Sequence, residues 1–367
     1  MSGVPFLESP DAATRRSRQA ADLPRGVDAL LDRLAPLYGL GDELASLRRV
    51  GRTMPIEPLE VSVSLGAQAA SRDLRVTVGL PSRPDDPESS AALCALLEGL
   101  GVGTAAAPTV GALALAAQGA RRRRFAYGAA LRARPGRAVR PRPATWIGGD
   151  TVAERSARVA EALGSVGLDD AATASRQLFR TLGSNPFSAV VPYGLGLGLG
   201  GDGVTGAKLY FACESAEVVL DHLRGPITEE LDLGGHAALF EVLVEATGPE
   251  WRRTRWLLEA SFELPADPAA GKRAKLYVPP SGLAADDPGA HQSILRVAAE
   301  LGLDAAPYEA LVSALRPGGL SADQPPTLMI GMSVTSTGRS LEAYVFVHSS
   351  AQAGARLGQQ VGEEQTS

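Results

Sequence analysis

The segment Trp256–Val278, WLLEASFELPADPAAGKRAKLYV, holds two short alternating runs joined by a turn rich in Pro, Ala and Gly. In WLLEASFEL (256–264) and RAKLYV (273–278) apolar and polar residues exchange at nearly every step, the period of a half-buried β-strand. Pro265–Gly271 supplies the turn, so the two runs pair antiparallel. The same unit recurs along the chain. Upstream, Leu59–Leu65 (LEVSVSL) precedes Leu74–Leu80 (LRVTVGL), and Ala189–Leu199 precedes Ala207–Ala212 (AKLYFA). Downstream, Leu328–Val334 (LMIGMSV) precedes Leu341–Val347 (LEAYVFV). A fifth, weaker pair lies between Phe125 and Ile147, where Arg and Pro make poor central-strand material.

Between the pairs, segments such as Ala91–Leu100, Val152–Leu163 and His291–Leu301 carry the apolar spacing of amphipathic helices. A unit of two strands and two helices that repeats specifies one architecture for the whole chain. Closing the strands into a ring removes the edges that an open sheet must protect. The expected fold is therefore α+β: a closed antiparallel β-barrel of about ten strands inside a ring of helices, built from repeated αββα units. The turns Pro265–Gly271 and Arg316–Pro326 fall within repeats, and no low-complexity linker divides the chain. The expected organisation is a flexible N-terminus over 1–20, a single barrel domain over 21–350 and a flexible tail over 351–367.

Alternation splits each strand into two faces. In the first, Leu59, Val61, Val63 and Leu65 oppose Glu60, Ser62 and Ser64, and in the second Leu74, Val76 and Val78 oppose Arg75 and Thr77. Lys208 and Tyr210 oppose Leu209 and Phe211, and Arg273, Lys275 and Tyr277 oppose Ala274, Leu276 and Val278. Glu342, Tyr344, Phe346 and His348 oppose Leu341, Ala343, Val345 and Val347. For a lone strand the simple reading is a solvated polar face. With helices outside a closed ring, the apolar faces turn outward and the lumen collects Glu60, Arg75, Lys208, Arg273 and Lys275 beside several tyrosines. Four cations around one lumen suit a multiply charged anion the size of a diphosphate.

The composition narrows the alternatives. With 367 residues and 45% hydrophobic content the chain can bury a large core. A formal charge of -5 gives no global basic field, which argues against nucleic acid as a partner. Cys94 and Cys213 match no metal-ligand or redox spacing, so reduced thiols are expected. Residues 1–25 contain no apolar signal core, and no run approaches the roughly 20 apolar residues of a membrane span. The expectation is a cytoplasmic protein without a membrane partner. Arg121–Arg124 reads as a solvated helix end.

Glu60 in PLEVSVSL, the Arg75 strand that follows, GAKLYF at 206–211 and RAKLYV at 273–278 together resemble the dimethylallyltryptophan-synthase type of indole prenyltransferase. The resemblance spans roughly residues 55–350, and its most specific element is the Arg-x-Lys-x-Tyr strand. It implies the ABBA, or PT-barrel, fold and the transfer of a dimethylallyl group from dimethylallyl diphosphate to tryptophan or another indole in secondary metabolism, including alkaloid biosynthesis. It also implies that Glu60 accepts the indole N–H, that Arg75, Lys208, Arg273 and Lys275 bind the diphosphate, and that Tyr210, Tyr277 and Tyr344 shield the allyl cation. Glu342 stands where the family tends to place Gln, and it and His348 are further candidates. The resemblance implies no cofactor and no obligatory metal, magnesium being at most stimulatory. The proton acceptor is Glu60 or water.

Other signals are weaker. Gly196, Gly198 and Gly201 fit G-x-G-x-x-G, but a strand follows where a dinucleotide fold needs a helix. The glycines read instead as room in the lumen or a bulge. Asp85–Asp86, Asp169–Asp170 and Asp286–Asp287 do not extend into DDxxD and are expected in loops or turns. His222, His236, His291 and His348 lack ligand spacing, and Trp146, Trp251 and Trp256 read as packing residues. Two alternatives stay open: the same fold prenylating a phenol or a tyrosine-containing peptide, and a barrel that binds an anionic or lipid-like molecule without chemistry.

Overall fold

The computed structural model describes residues 26–65, 73–81, 87–120, 125–183, 190–200, 203–213, 258–266, 273–278, 283–322, 327–335 and 338–347. Within them the predicted pairs appear as β1 (Glu57–Leu65), β2 (Leu74–Pro81), β3 (Phe125–Arg134), β4 (Arg137–Trp146) and β5 (Val190–Gly200). They continue as β6 (Gly203–Cys213), β7 (Leu258–Pro265), β8 (Arg273–Val278), β9 (Leu328–Thr335) and β10 (Gly338–Phe346). Every strand pairs antiparallel with its neighbours in sequence, and β1 pairs with β10 to close the barrel. At that seam Glu60 stands opposite Phe346, Ser62 opposite Tyr344 and Ser64 opposite Glu342.

The described helices are α1 (Val27–Tyr38), α2 (Ala45–Thr53), α3 (Pro87–Gly99), α4 (Ala106–Ala117), α5 (Val152–Ser165), α6 (Asp169–Gly183), α7 (Asp287–Glu300) and α8 (Ala306–Leu315). None is long and apolar enough to cross a membrane. They lie outside the barrel, and the core fills the layer between. Val61, Val63, Val76, Leu195, Leu209, Leu276 and Val345 from the strands are buried with Leu30, Leu93, Leu113, Leu163, Ile294 and Leu311 from the helices. Apolar burial on this outer face is what obliges the polar face of each strand to point inward. Over the seam, α8 packs on β1 and on α1, and the Tyr38 hydroxyl donates to the Pro307 carbonyl at 3.0 Å.

The weaker fifth pair is a full hairpin. Its turn is Pro135-Gly136, and Gly136 has φ 70°, a left-handed conformation that favours glycine. Pro141 and Pro143 face Leu131 and Ala129 across β3. On the other side the ladder from β4 to β5 runs only through Ala144, Thr145 and Trp146. Proline has no N–H to donate, so β4 stays in the barrel at the expense of one of its two ladders.

The acidic pairs require a correction. Asp169–Asp170 and Asp287 lie in the first turns of α6 and α7, not in loops. Asp286 caps α7 by accepting the Gly289 N–H at 2.7 Å, and Asp287 accepts the Thr327 hydroxyl at 2.9 Å. Asp85–Asp86, Arg121–Arg124, Trp251, Trp256, His222, His236 and His348 lie outside the described residues, as do both expected flexible ends.

Candidate active site in the barrel lumen

Most of the charged lumen contacts skip a strand and pass over a small residue on the one between. Lys275 on β8 ion-pairs with Glu342 on β10 and donates to the Tyr344 hydroxyl at 2.6 Å. The crossing passes Gly331 on β9, where an added Cβ would stand 2.4 Å from Lys275 Cε and 3.1 Å from both Tyr277 and Tyr344. Arg75 on β2 reaches the same Glu342 at 2.6 Å across β1, where Ser62 donates to Glu342 Oε1 at 2.6 Å. Lys208 on β6 donates to the Tyr277 hydroxyl on β8 at 2.8 Å across β7, and Ser261 stands 3.2 Å from that hydroxyl. Arg142 on β4 crosses two strands to Glu263 on β7 at 2.8 Å, past Gly196, where a Cβ would lie 3.6 Å from Arg142 Cγ.

The glycines of β5 therefore serve the lumen. Gly194 and Gly196 lie under the Tyr210 ring, with a built Cβ 3.3 and 3.5 Å from it. Tyr210 in turn stands 6.0 Å from Tyr193, which lies 5.4 Å from Trp146, centroid to centroid. Tyr277 and Tyr344 meet edge to face at 5.8 Å. The ammonium of Lys208 lies over Tyr210 and Tyr277, and that of Lys275 over Tyr277 and Tyr344, at 5.0 to 5.5 Å. Cations and aromatic faces thus alternate around one wall.

The electrostatics separate three carboxylates. Burial disfavours a charged Glu342, but Arg75 and Lys275 outweigh it and hold its carboxyl well below the usual range. Glu263 is half-exposed and sits between Arg142 and Lys208, 3.9 Å from the latter. Glu60 has no cation within ion-pair distance among the described residues. Its Oε1 accepts the Thr77 hydroxyl at 2.9 Å, and the residue is half-buried on the inward face of β1. Burial raises its pKa and the nearby Glu342 adds to the rise, while Thr77, Arg75 and Lys275 oppose it. Burial likewise draws the Lys208 ammonium well down, against the pull of Glu263.

The structure brings Glu60, Arg75, Lys208, Tyr210, Lys275, Tyr277 and Tyr344 to one lumen, as the strand faces require. Glu342, a peripheral candidate in the sequence, lies at the centre of the network. Arg273 takes its place on β8 opposite Glu263, but its side chain is outside the described residues, as is all of His348. Sequence reasoning did not single out Arg142, Glu263, Ser62, Ser261 or Tyr193. Arg142 was readable in principle, because Arg140, Arg142, Ala144 and Trp146 share one face of β4. Trp146, expected to be a packing residue, stacks into the tyrosine wall. His291 serves the helix layer, its Nδ1 3.0 Å from the Tyr308 hydroxyl. Among the described residues no group of three or more His, Cys, Asp or Glu is placed to hold a metal ion.

A ten-stranded antiparallel barrel with a polar lumen and helices outside defines the class as an ABBA barrel. The chain is similar to 6-dimethylallyltryptophan synthase from Micromonospora olivasterospora, solved with DMASPP and Trp, at 18% identity. The match covers 88% of this chain and 96% of that one with a TM-score of 0.63. The apo form of the prenyltransferase PriB matches at 17% identity over 94% and 97% of the two chains, with a TM-score of 0.64. The 5-dimethylallyl tryptophan synthase of Streptomyces coelicolor matches at 17% over 88% and 93%, with a TM-score of 0.62. No protein-family model and no curated protein matches the chain. At these identities the likeness is one of fold.

Proposed function

We propose that the protein is an aromatic prenyltransferase that moves a dimethylallyl group from dimethylallyl diphosphate to an indole, either tryptophan or a tryptophan-derived small molecule. One observation carries this reading. Arg75, Arg142, Lys208 and Lys275 converge on a lumen walled by tyrosines, and Glu60 faces the same lumen with no ion-pair partner among the described residues. The fold neighbours solved with DMASPP and Trp support the choice of donor and acceptor.

In this reading the C–O bond of the donor breaks with its electron pair leaving on the diphosphate. Arg75, Lys208 and Lys275 stabilise that charge, with Arg142 beside them and Arg273 assigned on register alone. The faces of Tyr210, Tyr277 and Tyr344 stabilise the allyl cation and keep water from it. Glu60 accepts the indole N–H through Oε2, the oxygen not bonded to Thr77, and directs the ring, whose attack forms the new bond to the allyl carbon. The arenium proton then leaves to Glu60 or to water. The side chains supply the positive charge, so the reading includes ionisation without an obligatory metal. Chelation by EDTA is expected to leave turnover largely intact. A cytoplasmic enzyme of secondary metabolism completes the reading, in keeping with its sparse cysteines.

The test is incubation with dimethylallyl diphosphate and a panel of indoles and phenols, followed by mass spectrometry. The expected result is a gain of one C5 unit on an indole. Transfer to phenols alone would defeat the indole assignment, and no transfer with tight diphosphate binding would leave a binding barrel in its place.

A further inference from the structure

Glu342 is the least expected residue in a site for an anion. It bonds to Arg75, Lys275 and Ser62 at once, and its side chain is 9% exposed. An anionic ligand needs the two cations that Glu342 holds. Glu263 is placed similarly between Arg142 and Lys208 but is 32% exposed, so it can turn toward water when its cations are taken. Glu342 has no such exit. Once displaced it stays in the lumen as a buried carboxylate, held by Ser62 and facing a diphosphate of like charge.

We propose that Glu342 is a built-in competitor of the diphosphate. It holds Arg75 and Lys275 ready in the empty site, yields them when the donor binds, and reclaims them to expel the inorganic diphosphate left after transfer. The inference rests on the prenyltransferase reading and explains what that reading leaves open. A site that only attracted the diphosphate would retain it after ionisation. The cost of leaving Glu342 unpaired is present with donor and product alike, so it lowers the affinity for both and shortens the product's residence. Glu342 is a tuning residue: it touches the diphosphate-binding cations and none of the reacting carbons is assigned to it.

The experiment is calorimetric titration of the full-length protein and its Glu342→Gln variant with inorganic diphosphate, paired with steady-state kinetics. Gln keeps the size and can still accept from Ser62, but it cannot compete for the cations as an anion. The variant is expected to bind diphosphate at least about tenfold more tightly, a difference of about 1.4 kcal/mol. Its KM for the donor should fall, and its kcat should fall with it as product release slows. Should Gln fail to fold, Glu342→Asp, one methylene shorter and unable to span both cations, is expected to tighten binding in the same direction. Equal or weaker diphosphate binding by the folded variant overturns the proposal and makes Glu342 a positioner of Arg75 and Lys275. Absence of binding in both wild type and variant defeats the diphosphate reading itself.

Discussion

Glu60 and Glu342 face one lumen from the paired strands β1 and β10, yet of the two only Glu342 lies between cations among the described residues. Because burial raises the Glu60 pKa, its carboxylate is lost on acidification at a higher pH than that of an ordinary glutamate. The acceptor kcat/KM is therefore expected to show an acidic limb displaced upward, which Glu60→Gln should remove while lowering turnover about 10²-fold or more. A pH–rate profile of both proteins checks it. Gly331 has a different role, since any side chain there collides with Lys275. Gly331→Ala is expected to raise the donor KM about tenfold or more by displacing the ammonium from Tyr277 and Tyr344, with the fold kept, as circular dichroism would show. At this scale the sequence revealed the inward residues wherever alternation was clean, as at Arg75, Lys208 and Lys275. It could not show Glu342 as a bridge, because that depends on distances across β1 and β9 that no single strand encodes.

Elements were legible to the extent that their side chains pack. The outward Leu and Val runs of β1, β2, β6 and β8 marked those strands, whereas β4 was obscured by Pro141 and Pro143, which weaken pairing without preventing it. Gly196 and Gly198 of the G-x-G-x-x-G pattern belong to β5, where glycines alternate with the buried Leu195, Leu197 and Leu199, and Gly201 lies outside the described residues. Helix starts were less visible, since capping is a local hydrogen-bond arrangement. Thr151 accepts the Glu154 N–H at 3.1 Å while Glu154 accepts the Thr151 N–H, a capping box at the head of α5. Thr151→Ala is expected to cost about 1 kcal/mol of stability, read from denaturant midpoints, with catalysis unchanged.

In the whole molecule the lumen cations come from β2, β4, β6 and β8 and their principal carboxylate from β10. A ligand that ties them together stabilises the closed ring against the open one. Inorganic diphosphate at a hundredfold its Kd is expected to raise the melting temperature by about 3 °C, measured by thermal shift. Glu60→Gln should retain most of that shift and Lys275→Ala should lose most of it.

The seam between β1 and β10 also orders events in time. The Ser62–Glu342 hydrogen bond joins residues 280 positions apart, so closure is among the most non-local contacts the chain makes. Loop-closure entropy makes such a step late and slow in folding. On the ribosome, β1 and β2 emerge with Glu60 and Arg75 long before β10 exists. A chain still under synthesis therefore presents scattered cations to water and no enclosed lumen. On the proposed function, such a chain has no site in which to hold and ionise an allylic diphosphate and so does not squander it by hydrolysis. The proposed competence then arrives in one step, when β10 meets β1.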